Sequence, residues 1–548
     1  MYYVDMNNKQ LLLRFSDVFG GPLLEIPSEL SSMSLDKTIS IICELIKLRQ
    51  KGTDINVLGF SCRIPFEIQL KRLIGIDAAT PAKMLATEEL HKDRHIISLQ
   101  CLLILLKYAI IYCKKTTDIP DEDPVTLDDY STVIKLNMVV AEHLDKHIET
   151  AKDMSHFVYA NYHVNYDRNV ANAFLRSYFM FEEISRNVAN FDADVRNEYR
   201  DYYCDFTTKY GYTPFQYLSC LFWQLQPYYS KEVGLAYDRT WSDLNLSYGK
   251  TPMLTVCSKI IDDLSKNATE LAEWAAGTID KPWDFSEFSV SPFLRNEANH
   301  YISISDYTLK NCFFEKLFWL VRDCYPKSDS RCMAFYGRLF EKYVQRLIER
   351  AISSNGELEF IDEFVFKNKK SSDAYIKHRK MLLVIEAKGY SILIDTLTKN
   401  EQIERNLNKL FVEPVIQADR FLDTLGNSDQ RFIDIEEIYY VSVTMDNINA
   451  VPDYLKTAID AINNSCKMPQ TKYTFNLGIE ELEMLMYFVE QKYDVFDLLK
   501  TYYRTSALKP FSTYLKGCDA NVVMTSFMKD VYDKACDAMQ KLYREDNR

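Results

Sequence analysis

Along most of the first half of the chain, apolar residues recur every three to four positions, the spacing that lines one face of a helix. The stretch 35–50 is the clearest early case, with Ile39, Ile42, Leu45 and Leu48 on one stripe and Ser34 followed by Asp36 as a start signal. Segments 85–114, 130–153, 166–187, 194–210, 215–225 and 255–276 read as further helices, and the turn Gly211-Tyr212-Thr213-Pro214 caps the one that opens at Phe215. Ahead of residue 34 the pattern alternates weakly around Gly20, Gly21 and Pro22, as a small strand-and-turn element does. No self-similarity at a period of about 20–50 residues is present, so a helical repeat array is not expected.

The pattern changes after residue 276. Residues 277–310 are irregular, with Gly277, Pro282 and Pro292, and turn partly to strand. A helix pair follows at 306–323 and 331–351, and past Gly356 the period switches from 3.6 to 2. Strands are expected at 359–366, 372–376 and 381–388, then a helical stretch at 393–425 interrupted near Pro414, then a strand at 435–445. The remainder, 451–548, reads as mainly helical, most clearly at 479–492 and 524–543. The expected fold class is α+β. A mostly helical region, 1–300, selects substrate or partner; a core with a central mixed sheet occupies 301–450; a helical tail, 451–548, packs on that core.

Composition narrows the function classes. Hydrophobic residues at 47% and charged residues at 26% exclude wholesale disorder. Glycine is scarce, 15 of 548, roughly 2.7% against a usual ~7%, which disfavours folds built on glycine-rich phosphate loops. The formal charge of −13 means that any nucleic-acid surface must be a restricted basic patch on an acidic molecule. Thirteen scattered cysteines with no CxxC pair read as reduced, buried thiols of a cytosolic protein rather than a disulfide framework or a zinc ribbon. The N-terminus lacks a signal-peptide pattern. The best membrane candidate, 96–113, carries Ser98, Gln100 and Lys107 and is better read as a core helix, so no membrane partner is expected and the localisation is cytoplasmic.

One constellation carries chemistry. Glu386 and Lys388 stand two apart on the 381–388 strand, so their side chains leave the same face. Leu382, Leu383, Val384 and Ile385 precede them, so the strand is apolar until it ends in Glu-Ala-Lys-Gly. Asp373 starts the preceding strand, and the turn Lys377-His378-Arg379-Lys380 joins the two as a hairpin that can bring Asp373 alongside Glu386. Two converging carboxylates suit a hard cation such as Mg²⁺, with Mn²⁺ as a substitute. Such an ion activates water and stabilises charge developing on a phosphate, and Lys388 would assist either task. Lys367, Lys369, Lys370, Lys377, Arg379 and Lys380 surround Asp373 in the sequence and fit a phosphate-backbone footprint. The plain alternative is an ion-paired strand end, a turn aspartate and two solvated basic loops.

Asp373, twelve intervening residues and Glu386-Ala387-Lys388 resemble the PD-(D/E)XK nuclease superfamily, the restriction-endonuclease-like enzymes. The resemblance covers about residues 331–446. The preceding helix contains GRLFEKYVQRLI, whose Glu341 resembles the acidic residue of the family's first core helix, a helper in metal or water positioning. Gln417 and Arg420 of VIQADRF resemble a polar motif that supports the site or contacts substrate. The order helix, three strands, helix, strand matches. The departure is Ser372 where the family often has Pro. The resemblance implies an Mg²⁺-dependent endonuclease, with DNA ahead of RNA as substrate and a restriction or anti-phage defence role in bacteria. Asp373 and Glu386 would bind metal with Glu341 as helper, and Lys388 would assist water. A homodimer or an activating protein partner is compatible with it. The rival reading keeps the nuclease fold as a catalytically silent binding or assembly module.

Other motifs fall away. Gly249-Lys250-Thr251 resembles the end of a phosphate loop, but Leu244 stands where its first glycine should be and Pro252 follows directly. His91/His95 and His143/His147 are four apart without an HExxH pattern, so helix-surface histidines are expected. No GxSxG elbow is present.

Overall fold

The computed structural model describes residues 11–49, 52–57, 60–65, 70–71, 73–75, 94–115, 124–144, 168–192, 195–229, 241–249, 251–389, 400–445, 452–505, 510–519 and 524–544. The chain combines helices with mixed sheets, an α+β arrangement, and divides into two compact units. One gathers Tyr166–Leu218 with Phe313–Lys541; the other gathers Val4–Asn165 with Ser219–Cys312, as far as these residues are described. This differs from the division expected near residue 300, because 166–218 cluster with the sheet-bearing half.

The first unit is built on a five-stranded sheet. In chain order it holds β1 (Glu359–Asp362), a small separate ribbon of β2 (Val365–Phe366) and β3 (Lys369–Lys370), then β4 (Ala374–His378), β5 (Met381–Lys388), β6 (Glu437–Thr444) and β7 (Thr471–Gly478). The sheet order is β7-β6-β5-β4-β1, with β1, β4 and β5 antiparallel and β5, β6 and β7 parallel. β5 and β6 are buried along nearly their whole length, which is why they read as continuous Val, Ile, Leu and Tyr runs. β7 adds a strand to a tail expected to be mainly helical. Tyr473, Phe475 and Leu477 alternate in it and are buried.

Helices α1 (Val170–Tyr178), α2 (Ser330–Ser353), α3 (Asn400–Leu407), α4 (Glu413–Leu425), α5 (Pro452–Ser465), α6 (Ile479–Glu490) and α7 (Val495–Thr505) flank this sheet. The pleat tells which face each covers. Tyr440 of β6 donates its hydroxyl to Asp419 of α4 at 2.9 Å, while the neighbouring Tyr439 meets Phe496 of α7 with ring centroids 5.2 Å apart. Successive side chains on a strand point oppositely, so α4 lies on one face and α7 on the other. α2 packs on α6 and joins the α7 side.

The helical stretch before β6 is interrupted next to Pro414, as expected. A π-helical turn, Asn408–Val412, leads into α4 with Pro414 in its first turn. Proline offers no N–H to Leu410, and the Leu410 carbonyl instead accepts a hydrogen bond from the Ser442 hydroxyl of β6.

α1 is tied to this unit by a buried polar cluster. The Glu483 carboxylate of α6 accepts from Arg176 Nη1 at 2.6 Å and Asn172 Nδ2 at 2.8 Å, both on α1, and from the Tyr343 hydroxyl of α2 at 2.7 Å. These bonds, with the packing of Phe179–Ile184 on α2 and the Arg200–Asp329 pair, tie residues 166–218 to this unit, a grouping that no local periodicity records.

The second unit is mainly helical, around Leu35–Leu48, Leu99–Tyr112 and Leu127–Leu144. It also holds a hairpin, Gly52–Val57 with Phe60–Pro65, that the sequence reading missed, and a three-stranded sheet of Ser265–Lys266, Phe293–Arg295 and Tyr301–Ser303. Ser265–Lys266 splits the single helix expected at 255–276 into Met253–Asp263 and Ala268–Gly277. The membrane candidate is a core helix of 14 residues; its buried Lys107 donates to the Thr278 carbonyl at 3.0 Å and lies over the Trp274 ring at 4.8 Å. Among the described residues no helix is long and apolar enough to cross a membrane.

Candidate active site

The β4–β5 hairpin pairs Ala374 with Ile385, so Asp373, one residue earlier, lies opposite Glu386, one residue later. Directly opposed residues have Cβ atoms about 4.5–5.5 Å apart on one face. The Asp373 carboxylate also crosses to β5, where its Oδ2 accepts the Ala387 N–H at 2.7 Å. Lys388 sits two residues beyond Glu386 and places Nζ 3.0 Å from Glu386 Oε2. Asp373 and Glu386 are 7% and 5% exposed, so both carboxylates are held largely out of water. Glu386 is the lateral neighbour of Ser442, whose hydroxyl reaches Leu410, so the pair emerges on the α3–α4 face of the sheet.

The bend before Asp373 is fixed by hydrogen bonds. Ser371 Oγ accepts the Phe364 N–H at 2.9 Å and donates to the Ser372 carbonyl at 2.9 Å. The Ser372 N–H donates to the Tyr375 hydroxyl at 3.0 Å, a bond that proline at this position could not make.

α2 approaches from the opposite face. Its Gln345 side chain donates to the Asp373 carbonyl at 3.1 Å, and Glu341, one turn earlier, is paired with Arg338 Nη1 at 2.7 Å. Arg338 also reaches Glu198 Oε2 with Nε at 3.3 Å, so one guanidinium joins two carboxylates. Gly389, directly after β5, makes the close approach feasible: a Cβ there would lie 3.0 Å from the Phe340 Cβ. Arg338, Gln345, Glu198 and Gly389 were not singled out in the sequence. For the first two, helical spacing around Glu341 was an available signal.

The carboxylates of the cluster are held close together with Lys388 as their near cation. Burial drives the Asp373 acid well above the usual carboxylate range, and the charges of Glu341 and Glu386 push it further against Lys388 and the Ala387 N–H. Burial disfavours the Lys388 ammonium, yet Glu386, Asp373 and Glu341 outweigh it and hold its pKa above the ordinary lysine value. Among the described residues no group of three or more His, Cys, Asp or Glu is gathered as a ready-made metal cage. Mg²⁺ does not need one, since it binds through one or two carboxylates and fills its octahedron with water and substrate oxygens. The donor set fits that ion: two buried, opposed carboxylates, with a third, Glu341, close enough to raise the Asp373 acid.

The basic residues separate into two groups. The hairpin pairs His378 with Met381, so Lys377, Arg379 and Lys380 stand at the far end of β4–β5, five or so residues and about 17 Å from Asp373. There Lys377 donates to the Arg431 carbonyl and Lys380 pairs with Glu436. They therefore do not surround Asp373, because a hairpin turn lies opposite its open end. Lys367, Lys369 and Lys370 belong to the β2–β3 ribbon, which leads directly into Ser371 and Asp373. Gln417 and Arg420 lie on the exposed face of α4 and, with Lys369 and Lys370, line an open cleft of about 620 Å³. Neither bonds to Asp373, Glu386 or Lys388 among the described residues.

The discarded motifs stay discarded. Gly249 ends the helix Leu244–Tyr248, and the next helix, Met253–Asp263, starts after Pro252. His91 and His147 lie outside the described residues, His95 is in a short strand and His143 is in Leu127–Leu144. Among the described residues no cysteine is in a disulfide. Compared with protein-family models, with curated proteins and with solved structures, the chain finds no match.

Proposed function

We propose that the first unit is a metal-dependent phosphodiesterase of the PD-(D/E)XK type, acting on nucleic acid, with DNA as the favoured substrate. The observation that carries this reading is the bond from the Ala387 N–H of β5 to the Asp373 carboxylate, which sets Asp373 beside Glu386 at the end of the β4–β5 ladder, with Lys388 3.0 Å from Glu386. The order α2, β1, β4, β5, α3–α4, β6 supports it, since it follows the element order of that superfamily.

Asp373 and Glu386 would hold Mg²⁺, which when bound supplies Lewis acidity toward the scissile phosphate and a more acidic water. The Ala387 N–H holds Asp373 in one orientation, and Gln345 fixes the backbone beneath it. Lys388, kept charged by its acidic neighbours, stabilises negative charge as it builds on the phosphate. Glu341 is a positioning residue, held by Arg338.

The test is cleavage of plasmid DNA, linear DNA and RNA with Mg²⁺ or Mn²⁺, comparing wild type with Asp373→Asn, Glu386→Gln and Lys388→Ala. The expected result is metal-dependent cutting lost by at least 10²-fold in each variant. Full activity in any two variants would remove the site assignment. A silent module is favoured by one observation: the Lys388 ammonium already occupies Glu386 Oε2. Calorimetry separates the two readings, because a silent site binds neither Mg²⁺ nor Mn²⁺.

A further inference from the structure

The cleft beside the carboxylates has a composition of its own. One wall is the outer face of α4, where Glu413, Gln417 and Arg420 recur at helical spacing. The other is the β2–β3 ribbon, which brings Lys369 and Lys370. The ribbon is set by a two-residue turn, Lys367-Asn368, with both residues at positive φ (48° and 61°), the backbone of a type I′ hairpin turn. Phe421 lines the cleft and meets Phe364 with centroids 5.7 Å apart, tying α4 to the segment between β1 and the ribbon. Three cations stand against Glu413 in the lining and Glu363 beside Lys370, so the cleft keeps a positive balance within a chain of net charge −13.

The cleft adjoins the carboxylate site. Lys370 pairs with Glu363 at 3.4 Å, and the Glu363 acid feels both Glu341 and Arg338. Three steps of chain, through Ser371 and Ser372, separate Lys370 from Asp373, at most about 10 Å. At a rise of about 3.4 Å per nucleotide along one strand, that is roughly three nucleotides.

We infer that this cleft binds the phosphodiester backbone of the strand to be cut, about three nucleotides from the scissile phosphate, with Lys369, Lys370 and Arg420 as its phosphate contacts. The inference rests on the phosphodiesterase reading for the identity of the strand. The cleft is a grip that reads charge and backbone and leaves base sequence unread, because no base-edge pairing is needed to fill it. Glu413 at one side excludes phosphate there and directs the strand toward the lysines.

The experiment is anisotropy of a labelled 30-base-pair duplex and a labelled 30-nucleotide single strand, titrated with full-length protein in EDTA at 50–200 mM salt. Lys369→Gln/Arg420→Gln is compared with wild type and with Arg379→Gln/Lys380→Gln, which changes the far end of the hairpin. Two lost contacts should flatten the slope of log K against log salt by about 1.8 on duplex or about 1.4 on single strand. The far-end pair should leave it unchanged. Equal slopes in all three proteins would overturn the inference. So would saturable binding of inorganic phosphate that the cleft variant abolishes while strand binding is untouched, since the ligand would then be free phosphate. Cutting is read separately. Cleft-dependent strand binding without metal-dependent cleavage removes the phosphodiesterase reading and leaves a backbone-binding cleft; cleavage with an unchanged slope does the reverse.

Discussion

Arg176→Met would test whether residues 166–218 are integral to the sheet-bearing unit. Arg176 and Glu483 are each 2% exposed and 2.6 Å apart. Removing the guanidinium leaves the Glu483 carboxylate buried with two neutral donors, Asn172 and Tyr343. Leaving one member of a buried pair uncompensated costs about 3–5 kcal/mol. Amide exchange through unfolding of the unit should therefore speed up by about 10²–10⁴-fold, at roughly 1.4 kcal/mol per factor of ten. Tryptophan fluorescence is the wrong probe, because Trp223, Trp241, Trp274 and Trp283 lie in the other unit's segments and Trp319 alone lies in this one. Hydrogen exchange read on peptides from α1 and α6 is the right one. Adding Glu483→Gln to the variant removes the stranded charge and keeps an acceptor for Asn172 and Tyr343, so it should recover about 2 kcal/mol. Less than a tenfold change in Arg176→Met, or further loss on adding Glu483→Gln, would refute the reasoning.

Three other outcomes are expected. Gly389→Ala should destabilise the first unit by about 1–3 kcal/mol in urea unfolding, because its Cβ meets Phe340, while Gly356→Ala, with open space around it, should be neutral or slightly stabilising. Burial pushes the Glu182 acid up to about 7 against the Phe215 N–H and Arg186. The folded state therefore holds that proton longer than the unfolded chain, and stability falls as pH rises from about 4.5 to 7, by about 3 kcal/mol. Glu182→Gln should remove that fall, and melting at pH 5 and pH 8 checks it. Arg338→Ala frees Glu341 of its cationic partner at 2.7 Å and should tighten Mn²⁺ binding about three- to tenfold by calorimetry; weaker binding would contradict the placement of Glu341.

The carboxylate pair was legible because it is local. A two-residue turn and a period of 2 are enough to set Asp373 opposite Glu386, and the apolar run 382–385 announces a buried strand. The same hairpin geometry misled the reading of the basic residues, since proximity in sequence to Asp373 placed Lys377, Arg379 and Lys380 around it when the strand carries them away. β7 had the alternation of Tyr473, Phe475 and Leu477, but the helical segments on either side masked it. The interruption expected near Pro414 is a π-helical turn, Asn408–Val412, and a distant hydroxyl, Ser442, satisfies the carbonyl that proline strands. Gln345, Arg338 and Gly389 matter only once α2 is laid against the end of β5, a contact that periodicity within either element does not encode.

The bond between Arg176 and Glu483 spans 307 positions. At about 5–20 residues per second, a ribosome needs roughly 15–60 s to synthesise the partner of a helix that is already outside the tunnel. Through that interval the residues of α1 are without Glu483, whereas Asp373 and Glu386 are 13 positions apart. The nascent chain can thus form its acidic hairpin long before the surrounding unit can close. Holdase chaperones binding residues 170–178 during translation, and aggregation when synthesis pauses between residues 219 and 478, are the cellular signs of that order.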